Sequence, residues 1–563
     1  MSDDDLKVKL LGFWPSSKIN NPKLNEMFRQ EFGRDFLGGD EIVSYAQHLV
    51  SSGMDFDALE EEIMTDIENP EKPGLEEIIF KKTATGIGRG HSLGGLSGIV
   101  LGIHGTKMID SGLTGLVSSR SLVTSSRRRE TTTDEIVIPH ALLQKEDLLD
   151  EYLEVSREVF NLAEQFKDKF GNLGGIETFN KVIPYNNPAD LFIVLPLDTL
   201  ATIAFEVRYD RIAFEVWYDR NNSNGNFVPR ELHALSDMFS DLTKKAGIST
   251  MFDQRIRVPR DTYFHYTVFK DPSLKADALE EAELNGMPLE PIVIDHSSRF
   301  TPGTLKGLER LKKFSEENMR IDDPKELAKR SMEYMLALRA FVGEHNESVR
   351  VKILDSLSWR VWSEQKRHAT LRQSVESVYS AVERASKGVG ELWPAIEEVH
   401  RAYSKESNAD FENVMKRLEK SIVIDDRLKK HPQLLIPYAY STARQLRLYQ
   451  KLIDEGIEPR DALYIAPKNI RVRTLENYDL INLIDLELPL RLCDTCEPER
   501  KFTSWKKRDL IAQVVPKLDY FLYPKCIVGF CTEGTYCGHL TARRKYDKDL
   551  HKATKQEMLD SGK

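Results

Sequence analysis

Two stretches of the chain concentrate residues that bind ligands. In SEQKRHATLRQSVESVYSA, Arg367-His368-Ala369 is followed after seven residues by Ser377. Arginine offers fixed, paired donors to a phosphate or to a carbonyl edge. A serine hydroxyl adds a further donor, best placed at a helix N-terminus where backbone N–H groups converge. The same residue types also suit a solvated helix face, and composition alone does not separate the two readings. The second stretch holds all five cysteines, Cys493, Cys496, Cys526, Cys531 and Cys537, with His539 nearby. Four thiolates could hold a structural zinc or an iron–sulfur cluster, although the spacing is not that of a zinc ribbon. Buried, reduced thiols are the alternative. Gly86, Gly88 and Gly90 lack the spacing and context of a dinucleotide-binding loop. Arg127-Arg128-Arg129 reads as a solvated basic turn.

The chain that must position these residues has 563 of them, which suggests two to four domains. With 40% hydrophobic and 30% charged residues it has the profile of a soluble globular protein. A formal charge of −10 disfavours a chain-wide surface for nucleic acid or anionic lipid. The few cysteines exclude a disulfide-built scaffold and point to a reducing, cytoplasmic setting. The acidic start, Met1-Ser2-Asp3-Asp4-Asp5, is unlike a targeting peptide. The most membrane-like stretch, Leu93 to Ile103, is too short to span.

Residues 7–14, KVKLLGFW, read as an edge strand ended by Pro15, and 23–68 carry helix-period apolar positions. The glycine-rich stretch 85–117 fits buried strands better than a long helix. Residues 141–170 read as a long amphipathic helix and 191–197 as a short buried strand. From 304 onward helices are expected at roughly 304–345, 355–388, 391–404, 408–420 and 434–455. A connecting strand, a helix near 478–490 and a cysteine-bearing tail follow.

Two internal similarities stand out. IAFEVRYDR at 203–211 is followed at once by IAFEVWYDR at 212–220, with eight of nine positions identical. Its alternation suggests strands, with a helix through part of it also open; the plain reading is a short duplication at a tolerant site. The second is long-range. Pro184 precedes Arg208 by 24 positions, and Pro467 precedes Arg491 by 24, with the same order of elements around each. This suggests two degenerate copies of one domain.

At this point the residues resemble a known family, the flavin-dependent thymidylate synthases. Arg367-His368-Ala369, seven residues, then Ser377 is similar to the family signature Arg-His-Arg, seven residues, then Ser. VGEHNES at 342–348 resembles its G-H-x-S-x-x-E-H segment. YSTARQLRLYQKLIDEGIEPRDALYIAP resembles its E-G-V-x-x-E-x-A-R turn with the following V-L-P step. LELPLRLCDTCEPE resembles its L-R-x-x-x-x-A-Q-W-E segment, and YPKCIVGFCTEGTYCG the cysteine-bearing tail of some members. The first half resembles a more eroded copy. KVKLLGF is similar to the opening strand and Gly90-His91-Ser92 to G-H-x-S; Ser126 and Arg128 match the late S-x-R, while Leu116-Val117-Ser118 stands where Arg-His-Arg would be.

The resemblance implies an α+β fold: two thymidylate synthase-like domains, each a small sheet with long helices. It places them at 1–225 and 304–540, with a linker region at 226–303 and a charged tail at 541–563. It implies a flavin-dependent methyltransferase that converts dUMP to dTMP with FAD, NADPH and methylenetetrahydrofolate. Arg367, His368 and His91 would contact FAD, and Ser377, Arg491, Ser126, Arg128 and Arg208 would contact dUMP. Family members are homotetramers, so a homodimer of tandem chains is implied. This chain departs from the pattern at Ala369, Val375, Tyr379 and Thr495, where an arginine, a glutamate, a second arginine and a histidine are usual. Those departures keep two alternatives open: a non-catalytic nucleotide-binding or assembly protein, and a flavoprotein that methylates another pyrimidine.

Overall fold

The computed structural model describes residues 6–15, 22–34, 36–44, 56–69, 71, 77, 97–106, 108–109, 122–125, 136–170, 181–204, 207, 227–257, 268–272, 276–318, 321, 323–365, 370–403 and 411–528. In chain order its main elements are β1 (Lys7–Trp14), α1 (Pro22–Phe32), α2 (Phe56–Glu68), β2 (Gly98–Thr106), β3 (Leu122–Ser125), α3 (Glu146–Phe170) and β4 (Pro188–Pro196). There follow α4 (Arg230–Lys245), α5 (Ser249–Arg257), α6 (Asp277–Leu284), β5 (Ile292–Ser298), α7 (Pro302–Asn318), α8 (Pro324–His345), β6 (Val349–Ser358), α9 (Trp359–Gln365) and β7 (Arg372–Val375). The chain continues through α10 (Val378–Tyr403), α11 (Phe411–Leu418), α12 (Pro432–Asp454), β8 (Arg471–Asp479), α13 (Leu480–Ile484), α14 (Glu487–Arg491) and α15 (Pro498–Val514).

Two compact units form. Unit 1 comprises Met1–Leu149, Tyr185–Phe269 and Gly456–Tyr464; unit 2 comprises Asp150–Pro184, Lys270–Glu455 and Ile465–Lys563. The unit boundaries therefore do not follow the two halves of the sequence. Each unit holds a four-stranded antiparallel sheet, ordered β1-β2-β4-β3 in unit 1 and β5-β6-β8-β7 in unit 2. In both, the first strand lies at the edge and is bulged, between Leu10 and Gly12 in β1 and between Val293 and Asp295 in β5. β4 starts at Pro188 after Pro184, β8 starts at Arg471 after Pro467, and each runs nine residues. Pro184 and Pro467 themselves form an antiparallel bridge within unit 2.

In unit 1, β1 alternates partly buried and exposed residues, as an edge strand should. β2 and β4 bury Ile99, Leu101, Ile103, Ile193 and Leu195, and Phe239 of α4 is also fully buried. Gly247 ends the α4–α5 turn at φ 66°, and its carbonyl accepts the Asp40 N–H at 2.9 Å. A Cβ on Gly38 would lie 2.4 Å from that carbonyl, so both positions require glycine.

In unit 2, Val349, Val351 and Ile353 of β6 and Tyr478 of β8 face a core that includes Leu338 and Phe341 of α8 and Trp505 and Ile511 of α15. The other sheet face buries Leu354 and Leu475 against Ala278 and Ala282 of α6. The antiparallel helices α3 and α12 are laced by ion pairs of Glu151 with Lys451 and of Glu158 with Arg444. Among the described residues no helix is long and apolar enough to cross a membrane.

Several expectations change. The helix expected at 355–388 is instead the end of β6, the short α9, β7 and the start of α10. β6 is an inner strand covered on both faces, so its second half, Leu354 to Ser358, is buried on both and loses the alternation that marks a strand. The stretch 226–303, expected as a linker, carries α4, α5, α6 and β5. The tandem repeat begins helical at 203–204, and most of it lies outside the described residues. α15 falls in the expected tail; it buries Arg500, Lys501, Lys507 and Arg508 and so shows no apolar stripe to read.

Candidate functional site

β7 delivers the chain to the N-terminus of α10, and Ser377 is the residue just before that helix. Its hydroxyl accepts the Tyr379 N–H at 3.2 Å, the geometry of a helix N-cap. The same hydroxyl donates to the Lys270 carbonyl at 2.5 Å, and Lys270 Nζ donates to the Val375 carbonyl at 2.7 Å. Ser380 Oγ donates to the Pro272 carbonyl at 3.3 Å. The segment at Lys270–Pro272 thus lies across this helix end, and Ser377 is 1% exposed. Where the family pattern has a glutamate and a second arginine, Val375 and Tyr379 are packed into the interior. The neighbouring Glu376 is fully buried instead, gripped by both terminal nitrogens of Arg384 at 2.7 Å and by the Arg473 N–H at 2.7 Å.

Arg491 ends α14, where its Nε donates to Glu487 at 2.7 Å. Cys496 is close enough for Arg491 to act on it. Burial pushes the Cys496 thiol up to about 11, against the opposing pull of Arg491 and Arg500. Cys493 Sγ lies 3.3 Å from Thr495 Oγ1, and Cys526 sits in an apolar cluster with Ile527. Among the described residues no three His, Cys, Asp or Glu side chains are grouped to hold a metal. Cys531, Cys537, Arg367, His368, His91, Ser126, Arg128 and Arg208 lie outside the described residues. The residues bracketing the Arg-His pair are fixed to β8 and to α13. Gln365 donates to Glu476, and Thr370 donates to Asn482 Oδ1 at 2.9 Å.

Known proteins share this organisation only in part. A flavin-dependent thymidylate synthase of Pyrococcus abyssi is 29% identical over 121 residues, 21% of this chain and 49% of that protein. Those of Pyrococcus furiosus and Saccharolobus solfataricus are 30% identical over 131 residues and 27% over 147, covering 51% and 54% of their lengths. Over this stretch the chain is similar to the flavin-dependent thymidylate synthases. It spans about half the length of the curated relatives it matches. No family model matches it. Two crystal structures of thymidylate synthase X from Helicobacter pylori, each with FAD and dUMP, align over 42% of this chain at 16% identity with a TM-score of 0.26, too slight a likeness to carry an argument.

Within the family's L-R-x-x-x-x-A-Q-W-E segment the last position is Glu499, a residue the sequence reading passed over. Its carboxylate accepts the Ser358 N–H at 2.7 Å and the Ser358 hydroxyl at 2.8 Å, at the last residue of β6. It also pairs with Lys181 at 2.6 Å, and Glu497 pairs with the same lysine at 2.7 Å. Unit 1 repeats the device. Glu231, near the start of α4, accepts the N–H and the hydroxyl of Thr106, the last residue of β2. The available signal was a proline one or two residues ahead of each glutamate, Pro498 and Pro229.

A second buried cluster also went unread. Lys507 of α15 lies 2.6 Å from Asp355 and 2.7 Å from Glu476, and Tyr478 donates to Glu476 at 2.7 Å. All four are essentially inaccessible. Burial, and then the Glu476 charge, hold the Asp355 carboxyl above its ordinary range despite Lys507. Unit 1 fills the register-matched positions with Ile103, Ile193, Leu195 and Phe239, all buried.

Proposed function

We propose that the chain is an FAD-dependent thymidylate synthase-like enzyme of the cytoplasm, which reductively methylates dUMP to dTMP with methylenetetrahydrofolate and NADPH. The observation that carries this reading is the placement of the matched motif. Ser377 caps a long helix immediately after a strand, where an anionic group meets converging N–H donors. The residues on either side of Arg367-His368 are anchored, which suits a pair that must hold FAD in a fixed pose. When bound, FAD would supply the redox chemistry, and the chain's own residues would bind and orient. Arg367, His368 and His91 would hold the cofactor; Ser377 and Arg491, with Ser126, Arg128 and Arg208 of the other half, would face the nucleotide.

The chain is read here as two fused copies of one domain, at 1–225 and 304–540. Supporting this are the common strand order, the bulged first strand, the nine-residue β4 and β8, and the repeated glutamate–hydroxyl cap. Two such chains would form the working homodimer; a solution mass of one chain counts strongly against that.

One observation favours a second reading, a non-catalytic nucleotide-binding or assembly protein. The Ser377 hydroxyl is engaged by the Lys270 carbonyl, so a phosphate could reach it only by displacing the chain's own segment. The absorbance spectrum of the purified protein with added FAD separates the two. Bands of bound oxidised flavin, together with rescue of a thymidine-requiring bacterium, support the enzyme. A protein that stays colourless and fails to rescue leaves the second reading.

A further inference from the structure

β8 carries two guanidiniums into the interior of unit 2. Arg471 is 7% exposed and Arg473 1%. Both converge on one hydroxyl of β6: Arg471 Nη1 donates to Ser356 Oγ at 3.2 Å, and Arg473 Nη1 donates to the same oxygen. Apart from this hydroxyl, Arg471 finds only main-chain carbonyls, those of Glu419 at 2.8 Å, Ile422 at 3.2 Å, Ser356 at 3.3 Å and Leu289 at 3.5 Å. Arg473 donates to the Pro288 carbonyl at 2.7 Å, and its buried Nε has no hydrogen-bond partner. Among the described residues no carboxylate lies within ion-pair distance of either guanidinium. Two like charges are therefore buried side by side without a contacting counter-charge, an arrangement that costs several kcal/mol unless it is relieved. Burial draws Arg473 down to about 9, with the charges of Arg384 and Arg471 adding to it against those of Glu376 and Asp355.

A cleft of about 110 Å³ opens beside them, with Arg471, Ser356, Phe502 and Thr503 in its lining. The carboxylates on its walls are already engaged. Glu419 and Asp426 pair with Lys429, Glu290 with Lys506, Asp425 with Arg427, and Glu499 with Lys181. Arg471 is the lining cation left with neutral partners. The sheet itself does not call for these arginines, because the register-matched residues of β4 are Pro188 and Asp190.

We propose that this cleft is a binding site for a phosphate-sized oxyanion, which supplies the counter-charge to Arg471 and, through Ser356, to Arg473. The volume accommodates several waters' worth of ligand, and arginine's planar fork suits a tetrahedral oxyanion better than a chloride ion.

The test is calorimetric titration of the full chain with inorganic phosphate and, separately, with glycerol phosphate, against a chloride background. Saturable binding is expected, weakened at least tenfold by Arg471→Gln. Because Arg471 also holds four carbonyls, Thr503→Trp serves as the second variant: it fills the cleft and leaves Arg471 in place, and it too should weaken binding at least tenfold. Tighter binding of glycerol phosphate supports the site and makes an esterified phosphate its occupant; tighter binding of inorganic phosphate supports it with the free ion. Absence of saturable binding at millimolar phosphate overturns the proposal, as does an affinity unchanged in folded Thr503→Trp.

Discussion

Replacing Lys507 by methionine should destabilise unit 2 by about 3–5 kcal/mol, because it strands two buried carboxylates without their counter-charge. Lys507 is 2% exposed, and it is the ammonium that contacts both Asp355 and Glu476. With it gone, each carboxyl must ionise unpaired in a low dielectric or take up a proton. Either route raises the native-state carboxyl pKa values above their unfolded values. The native state then binds more protons than the unfolded chain, so the deficit grows as pH rises above about 4 and shrinks toward acid. Unit 1 supplies the control. Asp355→Ile, Glu476→Ile, Tyr478→Leu and Lys507→Phe together install the residues found at the matched positions Ile103, Ile193, Leu195 and Phe239. That fourfold variant should unfold within about 2 kcal/mol of the wild type, since apolar replacement of a whole buried ion cluster is often neutral or stabilising. The assay is urea unfolding at several pH values, followed by tryptophan fluorescence; Trp505 lies two residues from Lys507 on α15 and is buried in the same core. A fourfold variant as unstable as Lys507→Met, or a Lys507→Met variant within 1 kcal/mol of wild type at pH 8, refutes the reasoning.

Glu499→Gln keeps the shape of the cap on Ser358 but removes one of the two charges on Lys181; a loss of about 2–3 kcal/mol is expected in urea unfolding. Asp40 accepts the N–H groups of Thr250 at 2.9 Å and Met251 at 2.8 Å, and burial pushes its carboxyl up to about 7 from 3.8. Its native state holds a proton that the unfolded chain releases, so unit 1 should lose up to about 4 kcal/mol as pH rises from 4 to 8. Asp40→Asn should flatten that slope in thermal melts. Asp425 behaves oppositely: burial would raise it, but hydrogen bonds and charge from Arg427 bring its carboxyl down to about 2. Asp425→Ala should cost about 1–2 kcal/mol at pH 7, and the difference from wild type should vanish as pH falls toward 2.

What the sequence disclosed follows from how far each signal depends on neighbours. β1, α3, β4, α12 and β8 were legible because each shows a local period or a clear boundary. β6 was misread because an inner strand buried on both faces loses its alternation at Asp355 to Ser358. α15 was missed because its buried face carries arginine and lysine, whose partners lie outside the helix: Glu476 for Lys507, and the Leu522 and Asp519 carbonyls for Arg508. The motif around Ser377 was readable by spacing, and the serine does cap a helix. That Lys270 occupies its hydroxyl was not readable, because the contact spans 107 positions and involves only a backbone carbonyl. The paired arginines at 471 and 473 were not singled out in the sequence. Only the register with Ser356 reveals that they converge.

The division of the chain has a consequence for synthesis. Unit 1 contains Met1–Leu149 and Tyr185–Phe269 but is completed only by Gly456–Tyr464. A ribosome adding about 5–20 residues per second makes the intervening body of unit 2 for roughly 10–40 s before that last piece emerges. Unit 1 therefore starts first but has all of its residues only after most of unit 2 has been made. A gene cut between its two halves would yield neither unit whole.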